Sequence, residues 1–165
     1  MFYHVITSTE CNLHCSYCDR EEWGCEWEDY DYSLPCRISY DVAKLKAFVT
    51  EKDYVTFYGG EPLLDIPKIK EIMNSVSCKC FMVQTNGLLL KELGDYALKF
   101  HTILVSIDGD EACTDKNRGA GVHKKVMQNV SWLKEQGFSG ELIARMTISE
   151  NSKLYDQVLW LSEHF

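Results

Sequence analysis

Basic charge is scarce in this chain of 165 residues. Lysine and arginine together number 17 against 25 aspartates and glutamates, a formal net charge of −8. No broad basic face can be assembled from that balance, so nucleic acid and anionic membrane surfaces are not expected partners. No uninterrupted apolar run reaches membrane length, and the first residues lack a basic segment followed by an apolar one, which leads us to expect a cytoplasmic protein. There is no phosphate loop of the G-x-x-x-x-G-K-[ST] form. His4, His14, His101, His123 and His164 show no metal spacing, and no Ser-His-Asp set has positional support. Internal repeats, low-complexity stretches and domain linkers are also absent. Ordinary shares of hydrophobic (45%) and charged (25%) residues then fit one globular domain over residues 1–165.

Cysteine, by contrast, is plentiful, with eight residues. Three fall in Cys11-Asn12-Leu13-His14-Cys15-Ser16-Tyr17-Cys18, a C-x3-C-x2-C stretch directly behind a short apolar run. Without a secretory signal, reduced metal-binding thiols are a better reading than a disulfide scaffold. Three thiolates on one centre leave a position open, where a small molecule can coordinate and react. The alternative is a closed zinc site completed by Cys78 or Cys80. Cys25, Cys36, Cys78, Cys80 and Cys113 otherwise lack ligand spacing and read as small apolar residues.

Along the chain, β-type runs alternate with helical patterns. Strands are expected at Phe2–Thr7, Tyr54–Tyr58, Cys80–Gln84, Thr102–Ile107 and Leu142–Ile148. Between them, helices are predicted from an N-cap at Ser39, from Pro67, over Leu89–Phe100, from Val122 to Gly137, and from Ser152. Residues Arg20–Pro35, with Trp23, Trp27, Tyr30 and Tyr32, read as a long loop, either a lid or plain surface. The stretch holding Arg118 reads as irregular. Strict alternation implies a parallel sheet with helices on its outer face. The polar motifs all follow a strand's C-terminal end, the edge where such sheets bind ligands. They are the cysteines, Gly59-Gly60-Glu61-Pro62, Asn86, Ser106 with Asp108, and Arg145 with Thr147.

The cysteine spacing, with Tyr17 just before the last cysteine, resembles the radical S-adenosylmethionine (radical SAM) superfamily. Within it, Ser106-Ile107-Asp108-Gly109 is similar to the fourth-strand segment of peptide- and protein-modifying maturases of the SPASM, or anaerobic sulfatase-maturase, type. The resemblance implies an α/β fold, a partial (β/α)6 barrel with about five parallel β-α units. It also implies that Cys11, Cys15 and Cys18 ligate a [4Fe-4S] cluster whose fourth iron is chelated by S-adenosylmethionine. Tyr17 would lie near the adenine, and Gly59, Gly60, Glu61 and Pro62 would hold the methionine amino group. Ser106 would contact ribose or carboxylate.

Several residues keep two readings. Asp108 either joins Ser106 or caps a turn; Asn86 either lines the pocket or holds the turn before Gly87. Arg118 is a cofactor contact or a surface charge, Arg145 a cofactor contact or half of a structural ion pair. Lys125 reads as a solvated charge. A side chain at Gly60 is expected to weaken cofactor binding while sparing the cluster.

The activity implied is reductive cleavage of S-adenosylmethionine and hydrogen abstraction from a peptide or protein, with a ferredoxin or flavodoxin as electron donor in an anaerobic setting. A small metabolite of cofactor biosynthesis is the alternative substrate. A zinc-holding interaction module and an electron-transfer iron-sulfur protein are the other classes. Since the family barrel has six units, the expectation is a core truncated before the sixth and before any auxiliary-cluster domain. The other reading is a compact form completed by a partner's strand.

Overall fold

In the computed structural model, residues 1–18, 36–39, 41–149 and 152–165 are described. Five strands form one sheet in the order β1-β2-β3-β4-β5: β1 Phe2–Ser8, β2 Tyr54–Gly59, β3 Cys80–Thr85, β4 Thr102–Ser106 and β5 Glu141–Arg145. Every neighbouring pair is parallel. A parallel sheet laid down in sequence order needs a crossover of the same hand at every step. All connecting helices therefore fall on one face.

Side-chain burial follows from that one-sided cover. Val5, Val55, Phe57, Val83, Ile103 and Val105 are buried beneath the helices. The alternating positions Ile6, Tyr58 and Ile143 on the other face remain exposed. The helical partners in the core include Leu45 of α1 (Val42–Phe48), Ile69 and Ile72 of α2 (Ile66–Ser75), and Val126, Val130 and Leu133 of α4 (Val122–Glu135). Gln157 of α5 (Leu154–His164) reaches back, its Oε1 accepting from the Asp110 N–H at 2.8 Å.

Local sequence explains most element ends. Asp65 accepts from the Lys68 N–H at 3.2 Å, and Pro67 fills the first turn of α2. Four sequence expectations are corrected. The cap of α1 is Asp41, accepting from the Ala43 N–H at 2.8 Å, rather than Ser39. The stretch holding Arg118 is a helix, α3 (Glu111–Arg118), begun by the Asp110 carboxylate on the Cys113 N–H. The Leu89–Phe100 segment is 3-10 over Leu90–Lys99 and breaks at Gly94, whose φ of 58° only glycine adopts without strain. Strand β5 also ends earlier than expected, leaving Thr147 beyond it. The aromatic Arg20–Pro35 loop and Cys25 lie outside the described residues. Among those described, no helix is long and apolar enough to cross a membrane.

Candidate functional site

Strand β1 delivers the chain to the cysteine loop, and the end of β2 presses directly against it. A Cβ on Gly60 would sit 2.3 Å from the Glu10 carbonyl oxygen and 2.5 Å from that of Thr9. One on Gly59, whose φ is +135°, would sit 2.2 Å from the Ser8 oxygen. The Gly60 N–H donates to Ser8 O at 2.9 Å and the Glu61 N–H to Glu10 O at 2.7 Å. The two glycines thus serve a close approach, as the sequence suggested, but the backbone they approach is the one leading into Cys11. This corrects the expectation for Gly60. Gly60→Val should disturb both cofactor binding and cluster assembly, and overpacking should destabilise the fold by about 1–3 kcal/mol. Iron content and thermal melting check this; an unchanged iron yield would mean that the contact does not set the loop.

Glu61 and Pro62 organise this corner from within. Glu61 is fully buried, and three donors converge on its carboxylate: the Leu63 N–H at 2.9 Å, the Thr85 hydroxyl at 2.7 Å and the Asn86 N–H at 2.7 Å. Burial pushes its carboxyl up, while the donors pull it back toward the charged form. The carbonyl of buried Pro62 accepts from the Thr7 hydroxyl at 3.1 Å. Neither residue offers its side chain outward, so the direct contact expected of them becomes a positioning role that joins the ends of β1, β2 and β3.

A second junction closes the far side of the loop. The Asp108 carboxylate is fully buried and accepts from Arg118 Nε at 3.0 Å and Nη2 at 2.9 Å. It also accepts from the Tyr17 hydroxyl at 2.7 Å, the Thr147 N–H at 3.1 Å and Asn117 Nδ2 at 3.4 Å. Arg118, 5% exposed, lies over the Tyr17 ring with its guanidinium carbon 5.5 Å from the centroid. The Ser16 N–H adds a bond to the Asn117 carbonyl at 2.8 Å. Burial pushes the Tyr17 hydroxyl well above the usual phenol range, and its bond to Asp108 adds to that. Arg118 is therefore no surface charge; Asp108 takes up its fork. Asp108 in turn gathers the cysteine loop, α3 and the chain after β5, rather than reaching outward.

The remaining candidates divide. Asn86 holds the turn, its Oδ1 accepting from the Leu88 N–H at 3.0 Å, and its Nδ2 donates to Asn12 Oδ1 at 2.7 Å. Ser106 pairs in register with Arg145, which puts both on the face away from the helices. Arg145 is exposed and has no ion pair among the described residues, so the structural-pair reading is not met. Lys125 is exposed, as expected. Asn12, Thr85 and Asn117 carry no sequence signal for their roles beyond Asp110, a residue type that caps helices, just ahead of the helix that holds Asn117.

Cys11 and Cys15 are half-buried and Cys18 is exposed. Burial pushes the Cys15 thiol up; Arg118 opposes this, while nearby Cys11, Cys18 and Asp108 add to it. Three cysteines in one loop are the kind of donor set that an iron-sulfur centre with an open position takes. Among the described residues no group of three His, Cys, Asp or Glu side chains is placed to hold a metal ion.

Comparison with known proteins gives the chain its relatives. A protein of Methanothermobacter thermautotrophicus is 29% identical over 89% of this chain and 58% of its own length. A probable GTP 3',8-cyclase of Methanococcus vannielii is 32% identical over 64% of this chain and 36% of its own. One from Archaeoglobus fulgidus is 26% identical over 98% of this chain and 54% of its own. The chain thus spans only about a third to three-fifths of these relatives. Among solved structures, native anSMEcpe with bound AdoMet superposes with a TM-score of 0.73 at 20% identity, over 99% of this chain and 49% of that one. Its complex with the Cp18Cys peptide gives 0.75 at 20%, over 98% of this chain and 48% of that one. That likeness confirms the fold, five parallel strands of a partial barrel in the manner of the anaerobic sulfatase maturases. The model of the radical SAM superfamily matches residues 5–151, so the chain belongs to that superfamily, whose [4Fe-4S] cluster and S-adenosylmethionine are its cofactors.

Proposed function

We propose that this chain is the core of a radical SAM enzyme that abstracts hydrogen from a peptide or protein, and that Cys11, Cys15 and Cys18 hold the cluster. One observation carries the reading. The Gly59-Gly60 stretch is bonded directly to the backbone entering Cys11, so a ligand held at the glycines lies against the metal centre. When bound, cluster and cofactor together supply reductive cleavage to a 5'-deoxyadenosyl radical; the protein's share is binding, orientation and exclusion of water.

The residues divide that share. The Gly59-Gly60 backbone receives the amino group, with Glu61, Pro62, Asp108 and Arg118 holding the walls in place. Ser106 and Arg145 face a cofactor's polar end, and Arg145, which has no ion pair among the described residues, meets a carboxylate there. Tyr17 borders the adenine. Asn86 stands between the glycine stretch and the cysteine loop. An anaerobic cytoplasmic setting and a ferredoxin- or flavodoxin-type donor belong to the same reading.

A small-metabolite substrate is the second reading, favoured by the GTP 3',8-cyclases among the relatives. The peptide reading is supported by the Ser106–Gly109 segment and by the fold shared with the sulfatase maturase. The test is electron paramagnetic resonance of the anaerobically reconstituted, dithionite-reduced protein. A four-iron signal that changes on adding S-adenosylmethionine is expected; an iron signal indifferent to it would overturn the reading. Release of 5'-deoxyadenosine stimulated by peptides rather than by nucleoside triphosphates then selects the first substrate class, and the converse selects the second.

A further inference from the structure

Asn86 does more than turn the chain after β3. Its Nδ2 lies 3.7 Å from Cys11 Sγ as well as 2.7 Å from Asn12 Oδ1, and a primary amide has two hydrogens to give. The residue's N–H and Oδ1 are both occupied. Its N–H donates to buried Glu61, and its Oδ1 accepts from the Leu88 N–H. The turn that follows is held from α4, where buried Asn129 donates to the carbonyls of Gly87 at 2.8 Å and Leu88 at 2.9 Å. The residue is 7% exposed and held through both its N–H and its Oδ1, so its amide is aimed at Cys11 by the fold.

We propose that Asn86 is a positioning residue whose amide donates an N–H···S hydrogen bond to the Cys11 sulfur and raises the reduction potential of the cluster. The proposal rests on the reading of Cys11 as a cluster ligand. Hydrogen bonds to ligand sulfurs withdraw electron density and favour the reduced state, one of the main controls on iron-sulfur potentials. This donor belongs to the same residue that Glu61 ties to the glycine stretch, so the potential is set beside the cofactor site.

The experiment is an anaerobic redox titration of the reconstituted protein, followed by electron paramagnetic resonance, for wild type, Asn86→Ala and Asn86→Asp. The aspartate keeps the acceptor for Leu88 but cannot donate when ionised, so it serves where the alanine variant fails to assemble. Both variants should reduce less readily, by up to roughly tenfold in the reduction equilibrium, which is about 59 mV for one electron. In reduced wild type, deuterium exchange should reveal a strongly coupled exchangeable proton that weakens in either variant. An unchanged midpoint in a cluster-loaded variant, with the proton coupling intact, overturns the proposal while leaving the cluster assignment standing. A wild-type protein that takes up no four-iron cluster overturns the reading beneath it. A residue serving only the turn would lower the melting temperature and leave the potential where it was.

Discussion

Asp108→Ala is expected to destabilise the chain strongly. It removes the acceptor of five hydrogen bonds and leaves the Arg118 guanidinium, 5% exposed, with no counter-charge. Breaking a buried pair from one side costs about 3–5 kcal/mol, because the survivor stays charged and desolvated. Against a usual domain stability of about 5–15 kcal/mol that is a large fraction. It corresponds to roughly 6–20 °C in melting temperature at about 2–4 °C per kcal/mol. Adding Arg118→Met should recover part of the loss, since a buried pair can be replaced by apolar packing nearly without cost. The Tyr17 hydroxyl would still lack its acceptor in the double variant, so cofactor binding should stay impaired after stability returns. Thermal denaturation of the two variants checks the first claim. A loss below about 1 kcal/mol for Asp108→Ala would show that the junction is not a buried ion pair in solution.

Cys15→Ala is expected to abolish cluster assembly outright. A centre with three protein ligands has no spare donor, so losing one leaves two thiolates where three are needed. Cys15 is the middle of the three, and it feels both Cys11 and Cys18. Alanine at Cys36, Cys78, Cys80 or Cys113 should leave the cluster in place. Cys78 and Cys80 lie where β3 begins, at the sheet end opposite the cysteine loop, and Cys113 lies on α3. Iron and sulfide content after anaerobic reconstitution, with the visible charge-transfer absorbance, measures the series. Full cluster retention in Cys15→Ala would remove it from the ligand set, and loss of cluster in Cys78→Ala or Cys80→Ala would revive the closed zinc-type site.

Both expectations depend on features that were unequally legible beforehand. The three cysteines, the paired glycines and Ser106-Ile107-Asp108-Gly109 stand out in the sequence because their information is local. Spacing within eight residues limits which sulfurs can share a centre, and a glycine pair at a strand end announces a close approach. The alternation of β-branched runs with helical stripes likewise prescribed a parallel sheet, because period 2 and period 3.6 are properties of short windows. Where local signals compete, the sequence is less legible. Leu90, Leu93 and Ala97 bury as a helical stripe should, yet Gly94 breaks the helix. Asp110 started a helix in a stretch whose polar composition concealed it.

The sequence by itself determined the chemistry to expect of this chain: three thiols in one loop, a glycine stretch at a strand end, and five strand ends to carry such motifs to one edge. Only the tertiary structure decided what each neighbour does. Arg118 and Asp108 are 10 residues apart and each could have faced solvent or cofactor; burial together makes them a pair. Glu61 meets Asn86 across 25 residues, and Asn86 meets Cys11 across 75. Partnership over such separations is set by strand order and register, which no short window contains. The same physical reason separates the residues that contact a ligand from those that hold its walls: a buried polar group must be satisfied from within, and which groups become buried is known only once the sheet has formed.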